Sequence, residues 1–130
     1  RLSKISIILI STRMDIESIC EYCLKKKGVE EHYPFDEETL VFKVGGKMFA
    51  LIPLEKIPLQ INLKCDPEKA IELREHYEDV LPGWHMSKKH WNTIILEGNI
   101  RWNDLKEWID HSYDEVVKGL KKSEKDKLAE

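Results

Sequence analysis

The chain has 130 residues, of which 42% are hydrophobic and 35% charged, and its formal net charge is −3. This balance is typical of one folded domain with a sizeable core and excludes an intrinsically disordered chain. Acidic residues outnumber basic ones across 14–120, so the body of the protein repels nucleic acid on average. Any contact with DNA therefore requires a local basic patch.

Residues 1–13, RLSKISIILISTR, differ in character from the rest of the chain. They are basic, and their apolar run is too short to span a bilayer and lacks the cleavage site of a secretory signal. Because Met14 is followed at once by a helix start, we interpret 1–13 as a non-native or disordered leader. The alternative is an extra strand that pairs with a sheet edge. With no membrane segment in the sequence, a cytoplasmic protein is predicted.

The first half of the chain predicts one helix and three strands. Asp15 can cap a helix with apolar residues at i, i+3, i+4 and i+7, and Gly28 ends it. A loop is expected over 29–38. Strands at 39–44 and 47–52 are joined by Gly45-Gly46, a two-residue hairpin turn. Residues 59–64 alternate between apolar and polar, which predicts a strand whose Gln60, Asn62 and Lys64 face solvent, and Lys43 could share that face.

The second half predicts a helix, two strands and a final helix. Asp66-Pro67 opens the helix, strands lie near 84–86 and 91–96, and the last helix begins near Trp102. Residues 121–130 are expected to form a charged, solvated tail. The order α-β-β-β-α-β-β-α predicts a single α+β domain over 14–120, with a mainly antiparallel sheet of about five strands and three helices. The helices would cover one face of that sheet.

Cys20 and Cys23 match the C-x-x-C spacing of redox pairs and zinc sites. Both fall within the apolar stripe of the first helix, whereas a redox pair sits at a helix N-terminus. A zinc site would need two further ligands, and the remaining candidates are Cys65 and scattered histidines. We therefore predict free, buried thiols, no metal and no cofactor; metal or redox chemistry is the alternative.

The window 80–96, VLPGWHMSKKHWNTIIL, contains no acidic residue and combines lysines, histidines, tryptophans and an asparagine. Positive charge beside planar side chains suits a phosphate-bearing partner. The residues predicted to contact nucleic acid carry positive charge or hydrogen-bonding groups, and they are Lys64, His85, Lys88, Lys89, His90 and Asn92. The alternative is a solvated turn whose tryptophans pack in the core. Trp91 is either such a core residue or a base-stacking platform.

No arrangement in the sequence predicts an enzyme. Asp110, His111 and Ser112 are adjacent on one helix and so point in different directions. The acidic run 36–38 lies in a loop without an evident partner. Gly45-Gly46-Lys47 lacks the spacing of a phosphate-binding loop, although Lys47 could contact a partner from the hairpin tip.

Four runs occur in the same order as in a known family: FDEETLVFKVGGKMFALI (35–52), INLKCDPEKAIELRE (61–75), PGWHMSKKHWNTIIL (82–96) and IDHSYDEVVKGL (109–120). With them, residues 14–120 resemble the MmcQ/YjbR family of small bacterial cytoplasmic proteins. The resemblance implies a compact α+β fold described as a double wing and a DNA-binding role. It offers no catalytic motif and no counterpart to 1–13.

Three hypotheses follow from the sequence. The first is weak, non-specific binding of duplex DNA through the 85–92 patch. The second is a protein-interaction adaptor that uses an exposed sheet face or edge. The third is an enzyme or small-ligand binder of unknown type, which a deep pocket with perturbed titrating groups would favour.

Overall fold

The computed structural model describes residues 15–33, 38–83 and 86–130. Within them, six strands form one antiparallel sheet in the order β1-β2-β3-β4-β6-β5. The elements in chain order are α1 Ile16–Leu24, β1 Val29–His32, β2 Thr39–Val44, β3 Lys47–Pro53, β4 Gln60–Lys64, α2 Pro67–His76, β5 Val80–Pro82, β6 Trp91–Ile95, α3 Trp102–Lys118 and α4 Lys122–Ala129. The predicted α+β class and mainly antiparallel sheet are confirmed, with one more strand and one more helix than expected.

The helix starts and the hairpin turn form for the reasons that the sequence indicates. The Asp15 carboxylate accepts a hydrogen bond from the Ser18 amide at 2.7 Å, which caps α1. Asp66 caps α2 in the same way, and Pro67 occupies its first turn. Gly45 and Gly46 join β2 to β3 with φ values of 58° and 81°, a backbone region that side chains disfavour.

The main core lies between the helices and one face of the sheet. α3 turns its apolar stripe toward β3 and β4, while α1 packs near β1 and α2 near β5 and β6. The residues that fill the centre of this core are fully buried or nearly so: Leu40, Phe42, Ile52, Ile61, Leu63, Ile94, Leu105 and Ile109. Burying each such side chain contributes about 1.5–3 kcal/mol, so this face supplies most of the stability.

The opposite face carries a smaller apolar cluster of Val41, Leu51 and Trp91, with Met48 and Met86 packed against it. Beside it, the Thr93 hydroxyl donates a hydrogen bond to Asn62, which is only 8% exposed. The expectation that Asn62 faces solvent was therefore wrong, because a neighbouring strand supplies the partner that its amide needs for burial.

Three further segments differ from the sequence prediction. β1 occupies part of the predicted 29–38 loop, because β2 supplies a ladder of backbone hydrogen bonds to a sequence that lacks apolar alternation. An unpredicted strand, β5, lies at 80–82. Of the strand predicted at 84–86, residues 84–85 fall outside the described residues, as does 1–13, and Met86 lies in no strand. α4 forms within the predicted tail; it is largely exposed, but Leu128 lies against Gly28 and the main core.

Candidate nucleic-acid interface

The sheet opens between β3 and β4. These strands pair at Ala50 with Leu63 and at Leu51 with Asn62, and the next pair in that register would join Phe49 to Lys64. A side chain of α3 stands there instead: the Ser112 hydroxyl donates to the Phe49 carbonyl at 2.6 Å and accepts from the Lys64 amide at 2.8 Å. The hydroxyl thus replaces a direct strand-to-strand hydrogen bond, and the two strands continue apart.

A cleft of about 450 Å³ lies at this opening, and we call it the fork cleft. Its size falls within the roughly 300–1,000 Å³ typical of small-ligand sites. The residues that line it come from the β2–β3 hairpin, the facing strands β4 and β6, and helix α3: Lys43, Gly46, Lys47, Met48, Lys64, Trp91 and Val116.

Among the described residues that line the fork cleft, three are lysines and none is acidic. Within the described residues, no ion pair involves Lys43, Lys47 or Lys64. Glu30 lies across from Lys43 in the sheet, and its carboxylate is 3.1 Å from a ring nitrogen of His32. Glu30 and Glu124 line an adjoining cleft together with Lys43, whereas no carboxylate among the described residues lines the fork cleft itself. The fork cleft is therefore a local basic site on a protein whose net charge is negative.

The turn at 87–90, which the sequence singles out, lies at the same end of the sheet. Lys88 and Lys89 are exposed there, and within the described residues neither forms an ion pair. Arg74 on α2 donates to the Lys88 carbonyl at 2.9 Å and fixes the turn. The next strand begins at Trp91, which pairs with Lys64, so the turn adjoins the fork cleft.

The six predicted contact residues do not all reach this surface. Lys64 lines the fork cleft, and Lys88 and Lys89 are exposed on the adjoining turn. Half-buried His90 accepts a hydrogen bond from the Cys65 amide through its carbonyl, at 2.7 Å. His85 lies outside the described residues.

Asn92 is 1% exposed on the helix-covered face, where its amide donates to the Ala70 carbonyl at 3.3 Å. Asn92 is therefore inaccessible to a partner, because its side chain is buried against α2. Trp91 lies on the opposite face, since successive residues of a strand point in opposite directions.

Asp110, His111 and Ser112 bind three different parts of the fold, as their adjacency on a helix predicts. Asp110 pairs with Lys26 and accepts from the Tyr22 hydroxyl at 2.7 Å; burial and this hydrogen bond raise the pKa of Tyr22 to about 12. His111 Nε2 accepts from the Asp66 amide at 3.1 Å, and burial, followed by the nearby Lys69 charge, lowers the pKa of His111. These residues therefore form no catalytic triad.

The cysteines behave as apolar core residues. Cys20, Cys23 and Cys65 are free thiols, and Cys23 is fully buried on α1. Burial raises the pKa of Cys65 to about 11 and also raises that of Cys23, which keeps both thiols protonated and unreactive. Among the described residues, no group of three or more histidine, cysteine or acidic side chains is arranged to hold a metal ion.

Comparison with known proteins identifies relatives over most of the chain. The YjbR family model matches residues 24–115. The Escherichia coli O157:H7 uncharacterised protein YbdF is 38% identical, over 88% of this chain and 98% of its own length, and E. coli K12 YjbR, also uncharacterised, is 33% identical over 88% and 97%. A Deinococcus radiodurans crystal structure, 38% identical, superimposes with a TM-score of 0.84 over 92% of this chain and 91% of that one. No helix in the described ranges is long and apolar enough to cross a membrane.

Proposed function

The chain belongs to the YjbR family, and we propose that it binds nucleic acid at the end of the sheet where the fork cleft opens. One observation carries this proposal: on a protein of negative net charge, three lysines line the fork cleft and two more are exposed on the adjoining turn, none of them in an ion pair within the described residues. These lysines are Lys43, Lys47, Lys64, Lys88 and Lys89, and we call them the lysine end.

Lysines without carboxylate partners are suited to phosphate because they act as mobile point charges. Contacts of this kind release counterions from DNA but read no bases, so the binding would have little sequence preference. The acidic body opposes it, and we expect a non-specific Kd on the order of 10⁻⁴–10⁻⁶ M. About two or three phosphate contacts would give a slope of log K against log salt of roughly −2 to −3.

Fluorescence anisotropy of a labelled DNA duplex at low and moderate salt tests the proposal. The double variant Lys88→Ala/Lys89→Ala should lose most of the binding, and Lys64→Ala should weaken it, while both keep the wild-type circular dichroism. The matched control is Lys56→Ala/Arg101→Ala, which removes the same charge from exposed positions after the far end of β3 and before the start of α3, away from the lysine end. Loss of binding that is equal in both double variants would show only a general charge effect and would overturn the proposal, as would no binding by the wild type at low salt.

A protein-interaction adaptor is the second candidate, and the loop between β3 and β4 favours it. Ile57 is 95% exposed on this loop and Leu54 is 39% exposed, so the loop presents two apolar side chains to a partner. The sheet edges favour it less, because β1 presents Glu30 and Glu31 and β5 is short and ends in Pro82, features that oppose strand addition. The adaptor becomes the better proposal if the anisotropy experiment shows no binding.

Both candidates are binding functions without catalysis, and we infer that the protein is not an enzyme. The separate engagement of Asp110, His111 and Ser112 supports this inference. A DNA-binding role also agrees with the cytoplasmic location that we predict from the sequence.

A further inference from the structure

The fork cleft has a second chemical character that phosphate binding does not use. Behind its lysines, the lining residues are Met48, Trp91 and Val116, and Val116 belongs to helix α3 on the far side of the sheet. The cleft therefore passes between the strands and reaches an apolar floor. The backbone of a duplex would touch the lysines at the rim but would leave this floor exposed to water.

A ligand that fills the whole cleft must combine a flat apolar part with an attached negative charge. A metal ion is unsuitable, because none of the described residues that line the cleft is a carboxylate, histidine or cysteine. An acidic peptide would satisfy the lysines but not the floor. An unpaired nucleotide has both parts: its base can stack against indole and thioether groups, and its phosphate carries the charge.

We propose that the fork cleft binds one unpaired nucleotide of a single strand, with the base against Met48 and Trp91 and the phosphates against Lys43, Lys47 and Lys64. This inference rests on the proposed nucleic-acid binding and adds that single strands bind more tightly than duplex. Ser112 is its structural basis, because the hydroxyl spans the gap between Phe49 and Lys64 and keeps the two strands apart.

The test measures anisotropy of labelled deca-thymidylate, a fully abasic strand with the same number of phosphates, and a duplex. Stacking of one base should make deca-thymidylate bind about 5- to 150-fold more tightly than the abasic strand. The duplex should resemble the abasic strand when compared at equal phosphate concentration. Equal affinity for deca-thymidylate and the abasic strand would overturn the base site while leaving phosphate binding intact, whereas no binding of any of the three would overturn the proposed function itself.

Two substitutions separate the base from the phosphate. Met48→Ala should weaken binding of deca-thymidylate and leave the abasic strand unchanged, whereas Lys64→Ala should weaken both by the same factor. Leu81→Ala is the matched control, because Leu81 is 46% exposed on β5 and lies on the same face of the sheet, away from the cleft. Equal weakening of both strands by Met48→Ala would overturn the base site.

Discussion

The two faces of the sheet are built from alternate residues of the same strands, yet they differ in size and chemistry. One face packs against α1, α2 and α3 through a large apolar core. The other carries a cluster of three buried residues, a hydrogen-bonded Asn62–Thr93 pair and the lysines of the fork cleft. The difference indicates a division of roles: the helix-covered face supplies stability, and the opposite face is free to carry charge that the core would not tolerate.

The largest expected effect comes from truncating the helix-covered core. Ile109 on α3 is fully buried, so Ile109→Ala should lower the free energy of unfolding by about 2–5 kcal/mol. Met48 lies partly exposed on the opposite face, and Met48→Ala should cost at most about 1 kcal/mol. Urea denaturation of both variants measures these changes in the free energy of unfolding. Equal losses would contradict the division between the faces.

A smaller effect is expected at Ser112, where the two faces meet. Ser112→Ala leaves the Phe49 carbonyl and the Lys64 amide without their partner, which should cost about 1–3 kcal/mol. The control is Ser123→Ala on exposed α4, which should change stability by no more than about 0.5 kcal/mol. If thermal and urea denaturation show the same loss of stability for Ser112→Ala and Ser123→Ala, the Ser112 bridge contributes nothing to stability.

The smallest effect concerns pH. Because burial lowers the pKa of folded His111, the unfolded chain takes up this proton first as the pH falls, at about pH 6.5. The contribution of neutral His111 to the free energy of unfolding is therefore complete above about pH 6.5, and it declines as the pH drops toward the folded pKa. His111→Gln keeps an acceptor for the Asp66 amide but cannot titrate, so its stability should fall less steeply between pH 7 and 5. The exposed His76→Gln variant serves as the control and should follow the wild type; parallel curves for all three proteins would exclude this role of His111.

Local signals in the sequence predict much of this fold. Asp15, Asp66 and the Gly45-Gly46 turn define two helix starts and the β2–β3 hairpin, because caps and tight turns depend on neighbouring residues. β1 could not be predicted in this way, because its sequence lacks apolar alternation and its strand conformation depends on hydrogen bonds to β2.

The interface was predictable only in part. Strand alternation shows that Trp91 and Asn92 point in opposite directions, but not that α2 closes the face that carries Asn92. The lysines at 64, 88 and 89 stand out by composition, whereas the cleft depends on a contact between Ser112 and Phe49, which are far apart in sequence. Lys43 and Lys47 become part of the site through that distant contact.

The short pairing between β3 and β4 also affects how the sheet folds. β1, β2 and β3 are consecutive, and a two-residue turn joins β2 to β3, so their pairing closes short loops. β4 must instead find β6 across α2, β5 and the 87–90 turn, a longer loop with a larger entropic cost. Two residue pairs join β3 to β4. Early pairing of β1, β2 and β3 therefore does little to position β4, β5 and β6. The sheet is therefore expected to assemble in two steps, of which docking of β4 is the later.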